Sequence, residues 1–146
     1  PNPHPFENIV LLVQKEISDR LCAVPGTKAN GALTIRAQYL ADCEEICPVP
    51  PSAFKPAPKV ESAVIRLKPR PFPTPAKDPA RLSQIVKLGF AQKRKMLRNN
   101  LQSLIDRDTL SQILETLAIN PQTRAEGLSV TNWVNLSDAI GNTLNQ

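Results

Sequence analysis

The segment Val49-Pro-Pro-Ser-Ala-Phe-Lys-Pro-Ala-Pro-Lys-Val60 sets one aromatic ring, Phe54, in a stretch stiffened by four prolines, with Lys55 and Lys59 beside it. Stiffening an exposed ring lowers the entropy lost when a flat ligand stacks on it. A nucleobase stacked on an aromatic gains about 1–3 kcal/mol, so Phe54 suits a base platform. An ordinary phenylalanine packed under its own loop fits the same residues.

A second cluster follows at Lys93, Arg94, Lys95 and Arg98, with Asn99 and Asn100 behind it. On a helix from about Lys93 to Ile105, Arg94 and Arg98 fall four apart, while Leu97, Leu101 and Leu104 hold the adjoining arc. Guanidinium forks match phosphate oxygens, and asparagine can read sugar or base edges. Between Ser62 and Ile105 lie ten of the 18 basic residues and a single acid, Asp78. That concentration is the footprint of a polyanion-binding surface; a solvated helix face is the bland alternative.

Gln14, Lys15 and Glu16 end an apolar run where α/β ligand sites lie, or simply start a polar helix. Arg124 and Glu126 read as an internal ion pair or a helix cap rather than an RNA contact. Cys22, Cys43 and Cys47 are odd in number and form no disulfide framework, which points to a reducing compartment and free thiols. Together with the single residue His4 they match no common zinc spacing, so no metal is expected.

These groups need elements to position them. Ile9-Val-Leu-Leu-Val13 reads as a strand buried on both faces, as in a parallel sheet, and Gln14 to Ala23 as the helix it enters. Leu33 to Leu40 is ambiguous in period and is read as a helix. Glu45 to Val49 and Ser62 to Lys68 read as strands. Ten of the 15 prolines lie between Pro48 and Pro79, and the cluster at residues 71–77 is a proline-rich linker. Beyond it Asp78 caps a helix over Ala80 to Ala91. After the cationic helix, Asp106 caps Thr109 to Leu117 and Ser129 caps Val130 to Leu144, making a small four-helix domain.

A hydrophobic share of 41% over 146 residues indicates a globular chain, and the net charge of +5 with pI near 9.4 favours an anionic partner. No run is long enough for a membrane span, and the expectation is a cytoplasmic protein with no membrane partner.

Four stretches carry a resemblance in order and spacing: LLVQKEISDRL from Leu11, VPPSAFKPAPKVESAVIRL from Val49, FAQKRKMLRNNL from Phe90 and INPQTRAEGLSVTNWVNL from Ile119. Together they resemble the ribosomal RNA adenine N6,N6-dimethyltransferases. The resemblance implies an α/β plus α fold: the last strands of a Rossmann-like methyltransferase domain over residues 1–70, the linker 71–77, and a C-terminal helical RNA-binding domain over 78–146. It further implies that Phe54 stacks on a flipped target adenine and that Lys93, Arg94, Lys95 and Arg98 hold the ribosomal RNA backbone; Lys55, Lys59 and Asn99, by type and position, are expected to meet RNA beside them. The implied activity is dimethylation of two adjacent adenines in small-subunit ribosomal RNA, with S-adenosylmethionine as donor and no metal. The family's donor-binding motifs would precede Pro1, so this chain alone is expected to be inactive. The parent is expected to be a monomer, and the isolated chain to self-associate through its unpaired strand. Asn30 stands where the family usually has an aromatic, which puts the packing of that loop in question. The alternative is a stand-alone RNA-binding or ribosome-assembly module without catalysis.

Overall fold

The computed structural model describes residues 6–145, so His4 lies outside the described residues. Three strands, β1 (Ile9–Gln14), β2 (Ala41–Val49) and β3 (Ser62–Pro69), form one sheet in the order β1-β3-β2. Both outer strands run antiparallel to β3, and so parallel to each other. Six α-helices accompany them: α1 (Lys15–Leu21), α2 (Ala32–Leu40), α3 (Pro79–Gly89), α4 (Leu97–Asn100), α5 (Arg107–Thr116) and α6 (Val130–Leu144).

The register assigns the faces. Ala63 and Ile65 are fully buried, and opposite them on β1 stand Val13 and Leu11. The other face carries Val64 and Arg66, opposite Leu12 and Val10. Contrary to the reading of Ile9–Val13 as a strand buried on both sides, Val10 and Leu12 are 61% and 53% exposed. Among the described residues β1 has one neighbour, as expected of an unpaired edge strand, but that neighbour is antiparallel where the apolar run had suggested parallel pairing.

β2 starts four residues before the expected Glu45, because Asp42 and Glu44 interrupt the apolar pattern while finding cations across the sheet. Arg66 pairs with Glu44, and Arg70 reaches Asp42 at 3.1 Å. A bulge between Glu45 and Cys47 adds Ile46 to β2 and reverses the alternation beyond it. Cys43 therefore shares the inner face with Leu67, while Cys47 lies opposite Val64 on the outer one.

α1 is shorter than the expected Gln14 to Ala23: Gln14 still pairs with Ser62, and Cys22 caps the helix. After it, Gly26 takes φ +87, a left-handed turn that glycine enters without strain. α2 forms as expected.

The main core lies among the helices beyond residue 78. Asp78 accepts hydrogen bonds from the amides of Ala80 and Arg81 to cap α3, Asp106 caps α5 from the amides of Asp108 and Thr109, and Ser129 caps α6 through Asn132. Trp133, Leu136 and Ile140 of α6 meet Ile85, Leu97, Leu110 and Leu114, all fully buried, and Ile35 of α2 joins the cluster. The stretch expected to be a linker is held at both ends: Arg70 before it donates to the carbonyls of Gln38 at 2.7 Å and Tyr39 at 3.0 Å, and the Ala76 amide donates to the Tyr39 hydroxyl at 2.9 Å.

The expected helix from Lys93 to Ile105 is not formed as such. Only Leu97–Asn100 is helical, and residues 91–96 are a loop. The side-chain amide of Asn100 donates to the carbonyls of Gly89 at 2.9 Å and Gln92 at 3.0 Å, and the Leu97 amide donates to Thr123 O at 2.8 Å. These bonds fix a turn where helical spacing alone had suggested continuity.

Candidate nucleic-acid interface

Phe54 ends a 3-10 turn, Pro51–Ala53, whose geometry the two preceding prolines favour. Its ring is half-buried and lines an open hollow of about 450 Å3 with Leu12, Val13 and Gln14 at the end of β1, together with Lys55. This is the carboxyl end of a strand, where ligands of α/β sheets collect. Lys59 is exposed and does not line this hollow.

Of the three polar residues ending β1, only Gln14 enters the hollow. Lys15 turns to Asp19 at 2.8 Å and to Glu45 at 3.0 Å, and Glu16 pairs with Arg20 at 2.7 Å. The two carboxylates hold the Lys15 ammonium well above the usual lysine range, through Asp19 first and Glu45 second. Glu45 is held down by Lys15 and by the buried Ser18, whose hydroxyl donates to it at 2.8 Å. Lys15 and Ser18 thus fasten α1 to β2 through Glu45, while the Glu16–Arg20 pair stays within α1.

Lys93, Arg94 and Lys95 stand exposed on the loop 91–96, and none has an ion pair among the described residues. Arg94 and Arg98 consequently do not form an i,i+4 row. Arg98 is half-buried at the start of α4, with Nη1 donating to Ser111 Oγ at 3.5 Å. Asn99 is half-buried, and Asn100 is occupied in holding the loop. The cations thus sit on a braced turn rather than a helix face, which frees three of them from a single stripe.

The segment Thr123–Leu128, absent from the reading of RNA contacts, does the bracing. Thr123 O holds the amide of Leu97, while Glu126 O accepts from Gly26 N and from the side-chain amide of Asn30, both at 2.8 Å. Asn30 is buried and also reaches Leu128 O at 3.3 Å. Its side-chain amide is thereby satisfied, while its buried Oδ1 has no hydrogen-bond partner among the described residues. Neither Arg124 nor Glu126 forms the expected ion pair or side-chain cap among the described residues; the motif acts through its backbone carbonyls. No pattern of residue types signalled this, since a carbonyl belongs to every residue.

Among the described residues no group of three or more His, Cys, Asp or Glu could hold a metal, and no helix is long and apolar enough to cross a membrane.

Solved structures carry the same arrangement. A dimethyladenosine transferase from Plasmodium falciparum superposes with a TM-score of 0.73 over 92% of this chain and 57% of its own, at 21% identity. The 23S rRNA methyltransferase ErmE does so at 0.65 over 92% and 55%, at 23% identity. The sheet and helices therefore have the fold of part of a methyltransferase. The sequence narrows this further: the profile of the ribosomal RNA adenine dimethylases matches residues 2–142, and the chain belongs to that family. Among its relatives, Ribosomal RNA small subunit methyltransferase A of Trichormus variabilis is 62% identical over 97% of this chain and 52% of its own length. The protein of the same name from Acaryochloris marina is 63% identical over 92% and 50%. The chain spans about half the length of these relatives.

Proposed function

We propose that this chain is the RNA-facing part of a longer enzyme that transfers methyl groups to the N6 of two adjacent adenines in small-subunit ribosomal RNA. In this reading residues 1–70 complete a Rossmann-like methyltransferase domain, 71–77 link, and 78–146 form a C-terminal RNA-binding domain. The observation that carries it is the Phe54 hollow: a ring on a proline-stiffened turn facing the end of a strand, in a chain of this family.

A target adenine has to leave its stack before its amino group can react. Phe54 receives the flipped base, at about 1–3 kcal/mol for the stack, and Gln14 supplies polar groups at the rim. Lys55 stands at the hollow and Lys59 is exposed four residues further on, available to phosphates, while Lys93, Arg94, Lys95, Arg98 and Asn99 hold the RNA backbone. S-adenosylmethionine is the methyl donor of the longer protein. The residues here do not fit it: β1 passes into α1 with no glycine between them, and the described hollows lack a glycine-rich turn to cradle it. The donor is held by residues outside this chain in a cytoplasmic, monomeric parent.

That same missing cradle favours a second reading, an RNA-binding or ribosome-assembly module without chemistry. A methyl-transfer assay on the full-length parent separates the two. With chemistry, Phe54→Ala in that parent lowers methylation far more than RNA affinity; equal losses would reject the stacking role. For the chain itself, affinity for the adenine-bearing hairpin of small-subunit ribosomal RNA should fall with salt at a slope of about −2 to −4, as three to five phosphate contacts require. Absence of binding at low salt would reject the docking role.

A further inference from the structure

A second hollow, of about 470 Å3, opens where the sheet region meets the helical one. That volume is within the roughly 300–1,000 Å3 of ligand sites. Its walls include Glu16, Asp19 and Arg20 of α1, Lys28, Phe90 after α3, and Lys93 of the cationic loop. The acids are already paired, Glu16 with Arg20 at 2.7 Å and Asp19 at 2.8 Å with Lys15, which Glu45 shares. Lys28 and Lys93 are exposed, and neither has an ion pair among the described residues. Two cations from opposite regions of the chain thus line one open space without a carboxylate of their own, a setting that favours an anion.

Both lysines are carried by loops fastened to the same strip. The loop bearing Lys28 is held through Gly26 N and Asn30 Nδ2 to Glu126 O, and the loop bearing Lys93 runs into Leu97, whose amide is held by Thr123 O. The pair is therefore presented by a preorganised frame, which limits the ordering entropy of binding. The hollow and the Phe54 site are lined by residues close together in the chain. Gln14 lines one and Glu16 the other, and two residues of chain span at most about 7 Å.

We propose that this junction hollow seats a backbone phosphate of the RNA strand whose base occupies the Phe54 hollow, with Lys28 and Lys93 closing on it from the two regions. The proposal rests on the RNA-docking reading above and adds to it a residue, Lys28, and a shared phosphate. Lys28 lies outside the cationic clusters, with no basic neighbour in sequence.

The test is binding of the adenine-bearing hairpin across a salt series by the chain and by Lys28→Ala, Lys93→Ala, the double variant and Lys68→Ala. Each of the first two should weaken binding several-fold, and Lys68→Ala, on the outer sheet face, clearly less. The double variant should lose less than the product of the single losses, because the partners share one contact. Its salt slope should fall by about 0.7–0.9, the value of a single phosphate. A slope falling by about twice that with independent losses would mean separate phosphates and overturn the shared seat. Lys28→Ala binding like the unaltered chain while Lys93→Ala weakens would overturn the hollow and leave the docking role standing. Equal losses from Lys28→Ala and Lys68→Ala would reduce the effect to net charge and overturn it too. If the unaltered chain does not bind, the docking role fails and this seat with it.

Discussion

The helical region after Pro79 and the sheet before Pro69 both rely on aliphatic side chains, but they bury them to different extents. Around Trp133 the helices leave Leu97, Leu101, Leu110, Leu114, Leu136 and Ile140 without accessible surface. In the sheet, Ala63 and Ile65 are as deeply buried, yet Val10, Leu11 and Leu12 on the adjacent strand are exposed. The first region closes around Trp133, with Ile35 of α2 joining its core. The second is covered on its inner side only, by α1 and α2, and even there Leu11 of β1 stays open; both hollows proposed for RNA are lined in part by residues of α1 or β1. Rigidity comes from the helical region and the strip Thr123–Leu128, while the open sheet supplies surface to be covered.

The comparison can be broken most directly by truncating one large side chain in each region. Trp133→Ala should cost about 3–5 kcal/mol, the usual loss for a buried aromatic, a large part of the roughly 5–15 kcal/mol available to a domain. Leu12→Ala should stay near the ±0.5 kcal/mol typical of surface changes. Urea unfolding followed by tryptophan fluorescence in the Leu12 variant, and by circular dichroism in both, reads the difference. A loss at Leu12 approaching that at Trp133 would mean that the strand is covered in solution, for example by a second copy of the chain.

Much of this contrast was legible from residue types. Capping by Asp78, Asp106 and Ser129 announced three helix starts, because a short side-chain oxygen before an apolar period satisfies the first free amides. The alternation of Ala63, Ile65 and Leu67 marked β3 and its inner face. What failed depends on partners distant in sequence. The run Ile9–Val13 looked doubly buried because composition carries no record of which faces find a neighbour. The stretch Lys93–Ile105 has helical spacing, but bonds from Asn100 to Gly89 and from Leu97 to Thr123 decide its shape. At the candidate site, Phe54 and the exposed Lys93, Arg94 and Lys95 could be singled out by type, whereas Lys28 and the carbonyl of Glu126 could not.

The closed region and the cationic loop meet at Gly89, so a methyl group there sharpens the contrast between rigid frame and working surface. A Cβ on Gly89 would lie 2.6 Å from Trp133 Cη2 and 2.9 Å from Leu97 Cδ1. Neither side chain has free space, and overpacking of this kind costs about 1–3 kcal/mol. Gly89 O also accepts from Asn100, which braces residues 91–96. Gly89→Ala should therefore lower the unfolding midpoint and also weaken RNA binding, although it removes no charge. A variant destabilised to that degree but binding RNA with unchanged affinity and salt slope would show that the loop does not take its shape from the core.

The smallest effect separates the two faces of the sheet itself. Burial pushes the Cys43 thiol up to about 11, and burial likewise raises Cys22, whereas Cys47, turned outward by the bulge at Ile46, is exposed. Since the thiolate is the nucleophile, alkylation of the folded chain near about pH 8 should mark Cys47 first, with Cys43 following only as pH rises toward its own ionisation. The sign for stability is the same. A thiol whose ionisation is raised by folding supports the folded state fully below the ordinary value of 9.0, and that support is lost as pH climbs through about 11. Peptide mapping after a short iodoacetamide pulse distinguishes the three positions. Equal labelling of Cys43 and Cys47 would mean that α1 and α2 do not seal the inner face, and the sheet would then be open on both sides rather than one.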